Sequence, residues 1–193
     1  MNLSLLAYNM YANNVESVFN VAAGMEIFHN FTLLHDDVMD KADVRRGSPT
    51  VHKKWNENTA ILSGDGMLVL AYQYLAQCNP SYLKQILDLA NDTFIGITDG
   101  QQFDMDFETR NDVSELEYLE MIRLKTSILL AACLKMGAIL GGASEEDANL
   151  LYSFGEKLGL AFQLQDDLLD VYGDVKVFGK RIGGDIVCNK KTY

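Results

Sequence analysis

Asp36-Asp37-Val38-Met39-Asp40 and Asp166-Asp167-Leu168-Leu169-Asp170 repeat one spacing, D-D-x-x-D, at two distant points of the sequence. On an α-helix, residues four apart lie on one face, so Asp36 stacks with Asp40 and Asp166 with Asp170. Like charges at that spacing repel by roughly 0.2–0.5 kcal/mol per pair. One such cluster is ordinarily a solvated helix face. Two, each bordered by apolar residues, call for cations between them. Magnesium (Mg2+) suits the donor set, with manganese (Mn2+) as a substitute. It takes one or two carboxylates, keeps several waters and binds phosphate oxygens. Two anionic walls would repel a diphosphate, and bridging cations reverse that sign. Basic side chains follow both clusters: Arg45 and Arg46 after the first, Lys180 and Arg181 after the second.

The segments that must position these carboxylates are patterned as helices. Val15 to Met39 carries Val18, Val21, Ala22, Met25, Phe28, Thr32 and Met39 at helical intervals, with Asn13 or Asn14 as its cap. Asp40 to Pro49 reads as a loop, punctuated by Gly47 and Pro49. A helix from about Thr59 to Gln77 closes at Asn79-Pro80, and Ser81 caps the next, which continues through Gly100 towards Phe107. Ser114-Glu115-Leu116-Glu117 fits a capping box before Leu119 to Ala138. Ser144-Glu145-Glu146-Asp147 repeats that signal before the helix of the second cluster, and from Gly173 the sequence is loop-like. No strand alternation of useful length and no repeat of 20–50 residues occurs. The pattern predicts an all-α fold, a single-domain helical bundle with the clusters facing each other across a central cavity.

Composition narrows the partners. With 193 residues, 48% hydrophobic and only 2 prolines, the chain can build one core from long helices. A net charge of −11 argues against nucleic acid or an anionic membrane surface as the main partner. It leaves room for an anionic substrate that arrives with metal ions. The 3 cysteines, Cys78, Cys133 and Cys188, are odd in number and widely spaced, which predicts reduced thiols in the cytoplasm. The N-terminus has no basic region of the secretory kind. The longest apolar stretch, Ser127 to Ala143, falls short of the roughly 20 residues that span a bilayer, so no integral membrane segment is expected.

Six ordered motifs give the chain a family resemblance. They are Leu33-Leu34-His35-Asp36-Asp37-Val38-Met39-Asp40 with Arg45-Arg46-Gly47; Gly100-Gln101-Gln102-Phe103-Asp104; Lys125-Thr126; Phe162-Gln163-Leu164-Gln165-Asp166-Asp167-Leu168-Leu169-Asp170; Gly179-Lys180; and Gly183-Gly184-Asp185. The chain resembles the trans-isoprenyl diphosphate synthases, the polyprenyl synthetase family of all-α prenyltransferases. The resemblance implies head-to-tail joining of an allylic diphosphate to isopentenyl diphosphate. Asp36, Asp40 and Asp166 would ligate magnesium, with Asp37, Asp167 and Asp170 behind them or acting through water. Asp104 would point at the same metals. Arg45 would clamp the allylic diphosphate and Arg46 that of isopentenyl diphosphate, since guanidinium binds phosphate bidentately. Lys125, Lys180 and Lys190 would complete the diphosphate shell, and Gln101 belongs to the same lining. At Lys125-Thr126 the family kinks a helix and turns carbonyls towards the carbocation, and Gln163 orients the allylic group. A homodimer is implied as well.

Product length falls to the helix leading into the first cluster. Phe31 lies five residues before Asp36, about 7.5 Å along the axis, and would floor a tunnel for the growing chain. Phe28 would deepen the block, and Thr32 is small. Together with a first motif that lacks the insertion common in bacterial farnesyl synthases, this predicts a short product, C15–C20, with geranylgeranyl favoured. His29 and His35 are expected to be structural. Although His35-Asp36 mimics the start of a phosphohydrolase motif, that chemistry needs further histidines.

Nothing before Leu3 matches the family's basic isopentenyl diphosphate segment, and Tyr193 stops where further helices would follow. Residues 1–193 are therefore expected to be one domain, incomplete at both ends, poorly active and prone to associate in isolation. Two other readings remain at this level: a class I terpene cyclase, and a non-catalytic subunit that modulates a partner synthase.

Overall fold

Caps and breakers set the helix ends. The computed structural model describes residues 2–173 and 190–192. In chain order the elements are α1 (Asn2–Asn9), α2 (Glu16–Met39), β1 (Val44–Arg45), β2 (Ser48–Pro49), α3 (Val51–Lys54), α4 (Glu57–Leu75), α5 (Pro80–Glu108), α6 (Glu115–Ile122), α7 (Ile128–Gly141) and α8 (Glu145–Tyr172). A π-helical stretch, Arg123–Ser127, joins α6 to α7 without a break. Asn56 accepts from Thr59 N at 2.8 Å to start α4. Asn79, rather than the expected Ser81, caps α5: its side chain accepts from Ser81 N at 3.0 Å, and Pro80 needs no donor at the first helical position. Ser114 and Glu117 form the predicted box, and Ser144 accepts from Asp147 N at 3.1 Å. Val15 occupies the cap position of α2 in place of Asn13 or Asn14, although Asn14 still accepts from Glu16 N at 3.1 Å.

Because α7 is apolar except at Lys135, it becomes the buried centre, packed by α1, α2, α5 and α8. Val18, Met25 and Phe28 of α2, Leu75 of α4, Ile86 of α5 and Met136 of α7 fill the main core. The π stretch makes one continuous rod of residues 115–141, longer than the apolar run counted from the sequence. By length and composition alone it could cross a membrane; 61% of its most apolar window is buried inside the fold.

Two glycines pinch the π stretch. A Cβ on Gly100 of α5 would lie 2.4 Å from Lys125 N, and one on Gly159 of α8 would lie 2.4 Å from Ser127 Cα. Neither position has room for a side chain. Thus both helices that flank the rod approach it at van der Waals contact just where its winding widens, with Ile128 N–H donating to Arg123 O.

Candidate active site

The first cluster closes the C-terminal end of α2. The antiparallel hairpin β1–β2 then folds back, turning through Arg46 and Gly47 with φ of +52° and +76°. Positive φ at both central residues gives the twist a two-residue hairpin needs. At Arg46 the left-handed conformation costs about 1–2 kcal/mol. The hairpin returns Arg45 to the aspartates: its Nε donates to Asp37 Oδ1 at 2.7 Å and its Nη2 to Asp36 Oδ2 at 3.0 Å. Burial pushes the Asp37 carboxyl above its ordinary value, with the Arg45 guanidinium pulling the other way. Arg45 therefore sits on the acidic pair, while Arg46 is exposed at the turn.

Asp104, buried on α5, draws the other cations in. Lys125 Nζ lies 2.6 Å from Asp104 Oδ2 and 3.5 Å from Asp36 Oδ1. Lys190 Nζ lies 2.7 Å from Asp40 Oδ2 and 3.6 Å from Asp104 Oδ2. Burial alone would lower the Lys190 ammonium, but the charges of Asp104, Asp40 and Asp36 outweigh it and hold the group above its usual range. Asp36, Asp40 and Asp104 are thus gathered around positive charge. Gln101 reaches only the Met39 sulfur, at 3.7 Å. Lys180 lies outside the described residues.

The second cluster, near the C-terminal end of α8, is held differently. Asp167 is buried and accepts from the Tyr118 hydroxyl and from Gln163 Nε2, the latter at 3.0 Å. Gln163 Oε1 in turn accepts from Thr126 Oγ1 at 3.1 Å. Asp170 is buried and Asp166 half-buried. Contact between Gly159 and Ser127 makes the Gln163–Thr126 bond reachable, because Gln163 lies one helical turn beyond Gly159 and Thr126 precedes Ser127. Tyr118 was not among the residues the sequence singled out. Its capping-box neighbourhood was legible, but nothing local ties it to a carboxylate 49 positions away.

The donor set suits magnesium. Asp36 Oδ1 is buried and has no hydrogen-bond partner, with only Lys125 nearby. Among the described residues, no three His, Cys, Asp or Glu side chains form a closed metal cage. An ion that takes one or two carboxylates and completes its shell with water and phosphate fits such walls.

A family model described as polyprenyl synthetase matches residues 1–193. The chain belongs to the polyprenyl synthetase family. Over 190 residues it is 45% identical to a geranylgeranyl diphosphate synthase of Methanosarcina mazei, covering 97% of this chain and 59% of that protein. It is 42% identical over 192 residues to a short chain isoprenyl diphosphate synthase of Methanothermobacter thermautotrophicus, covering 99% and 59%. The crystal structure of a geranylgeranyl pyrophosphate synthase superposes with a TM-score of 0.96 at 52% identity, covering 100% of this chain and 59% of that one. The chain therefore spans about 59% of the length of these relatives.

Within this polyprenyl synthetase fold, the proposed length-setting residues lie on α2. Phe28 is fully buried and stacks on Phe94 of α5, so it belongs to the core. Phe31 is half-buried, with its ring 5.5 Å from Phe28 and 4.7 Å from His35. Thr32 turns its hydroxyl back to His29 O at 2.8 Å. His35 Nε2 lies 3.2 Å from Ile61 O and ties α2 to α4, the structural role expected of it. His29 lines a cavity of about 480 Å3 with Met25, Glu26 and Cys133, and burial lowers its imidazole. Phe162 is 57% exposed, which removes it from the core.

Proposed function

We propose that this protein condenses an allylic diphosphate with isopentenyl diphosphate, head to tail, to a short-chain prenyl diphosphate with geranylgeranyl favoured. The convergence of Asp36, Asp40 and Asp104 on Lys125 and Lys190 carries this reading. Similarity to proteins named geranylgeranyl diphosphate synthase supports the product class. Asp36, Asp40 and Asp104 on one wall and Asp166 on the other would hold magnesium or manganese, which supplies Lewis-acid polarisation of diphosphate oxygens. Lys125, Lys190 and Arg45 bind and orient the allylic diphosphate, and Arg46 that of isopentenyl diphosphate. Gln163 and Thr126 face the allylic carbons. The buried surroundings of Asp104 and Asp167 exclude water from the charge that develops on bond breaking. The same reading places the protein in the cytoplasm as a homodimer, which sedimentation of the full chain would test.

Product analysis of the full chain with labelled isopentenyl diphosphate and each allylic primer tests the reaction. The expected outcome is a labelled C20 diphosphate with magnesium and none with a chelator. A cyclised hydrocarbon formed without isopentenyl diphosphate would overturn the reading. Phe31→Ala is expected to lengthen the product, checked by chromatography of the dephosphorylated chains. Unchanged chain length would remove Phe31 as the floor.

A further inference from the structure

We infer that Tyr118 is a positioning residue that assigns Asp167 to the protein rather than to a metal ion, and so fixes Gln163 and Thr126. The inference rests on the functional reading above and adds to it a residue outside every motif. Tyr118 is 4% exposed and Asp167 is 6% exposed, so their hydrogen bond is closed off from water. A carboxylate only accepts, and both Asp167 oxygens are engaged: Oδ2 by the Tyr118 hydroxyl and Oδ1 by Gln163 Nε2. Because Asp167 Oδ1 accepts, the nitrogen end of the Gln163 amide faces it. With the nitrogen committed, Oε1 must face Thr126, whose hydroxyl must then donate. One accepting group thus sets the direction of the whole series Tyr118–Asp167–Gln163–Thr126.

The geometry of the rod serves the same end. Tyr118 and Thr126 are the rod's members of this series, and Asp167 and Gln163, four apart on α8, are the matching pair. On an uninterrupted α-helix, positions eight apart are about 80° out of line. The π stretch winds less per residue, and it lies between them. It swings Thr126 back towards the face that carries Tyr118. Without the phenol, Asp167 Oδ2 would lose this donor and the carboxylate would be held less firmly beside Asp166.

The test uses the full chain and the variants Tyr118→Phe, Asp167→Asn and their combination. Calorimetry of inorganic diphosphate binding across a magnesium titration is run first on the unsubstituted chain. Absence of magnesium-dependent uptake there marks failure of the functional reading, recognised before any variant is made. Given uptake, Tyr118→Phe loosens the support of the helix segment beside Asp166 and is expected to raise the half-saturating magnesium concentration by about 10-fold, the low end of losses on removing the surroundings that orient a metal site. Affinity for diphosphate at saturating magnesium should stay within about twofold. A merely structural role would lower the melting temperature without moving the magnesium requirement. Ligand-free thermal unfolding supplies the second readout: Asp167→Asn should shift the melting temperature less on the Tyr118→Phe background than alone. An unshifted magnesium requirement, or additive melting shifts, overturns the inference.

Discussion

At the end of α2 the aspartates meet cations: Arg45 reaches Asp36 and Asp37, while Lys125 and Lys190 reach Asp36, Asp40 and Asp104. On α8 the described hydrogen bonds of Asp167 come from neutral donors, Tyr118 and Gln163. Among the described contacts, one five-residue pattern therefore meets two kinds of partner. The first cluster is organised by charge, so any ion or diphosphate that enters must exchange with ion pairs already in place. Around Asp167 the second is organised by hydrogen-bond direction, which a neutral isostere can partly preserve. A shared motif specifies which atoms are on offer; the partners decide how they are used.

This contrast predicts unequal responses to the same chemical change. Asp36→Asn removes charge from the centre of the cation network and is expected to lower kcat/KM for condensation by about 100-fold, or about 2.7 kcal/mol. Asp167→Asn keeps an oxygen for the Tyr118 hydroxyl and is expected to cost nearer 10-fold. Steady-state kinetics at saturating magnesium checks both, and equal losses would break the distinction. The two pinching glycines sharpen it. Gly100→Ala and Gly159→Ala each place a methyl group 2.4 Å from backbone and are expected to destabilise by about 1–3 kcal/mol in thermal unfolding. They should differ at the site, because Gly100 abuts Lys125 and so the Asp104 ion pair, whereas Gly159 abuts Ser127 and so the Gln163–Thr126 bond. Gly100→Ala is expected to raise the magnesium requirement more than Gly159→Ala.

The smallest effect is expected at the start of α6, which carries Tyr118. Ser114→Ala should cost about 1 kcal/mol by calorimetry through loss of the cap. The Ser114 backbone N–H, then Arg110 and the Ser114 hydroxyl, draw the Glu117 carboxyl down from 4.5 to about 2. A carboxylate depressed in the folded state stabilises above its unfolded value and loses that contribution as pH falls. The melting difference between the unsubstituted chain and Ser114→Ala should therefore shrink between about pH 4.5 and about 2.

Much of this arrangement was legible in the residues. The long helices showed through apolar spacing and capping pairs, and both aspartate clusters announced themselves by carboxylate stacking. Asp104, Lys125 and Lys190 stood out in the sequence, and the fold brings them to the first cluster. What stayed hidden depends on contacts distant in sequence or on backbone states with weak signatures. The hairpin turns through Arg46-Gly47 rather than an Asn-Gly pair, so it read as plain loop. The π stretch needs Gly100 and Gly159 to press on it from two other helices, which no local window contains. Tyr118 acquires meaning only from its distant partner on α8.

A π turn holds one residue more than the α turn it replaces, and the rod from Ser114 to Gly142 is anchored at both ends by a capping box and a left-handed glycine. Its register is thus a matter of length as well as of side chains. Deleting one residue in 123–127 would let the stretch close into an ordinary α turn while Ala132 and Met136 kept the partners they pack against, whereas a deletion within α7 would rotate everything beyond it by about 100°. The wide turn is therefore where this rod can lose a residue, and α7 is where it cannot.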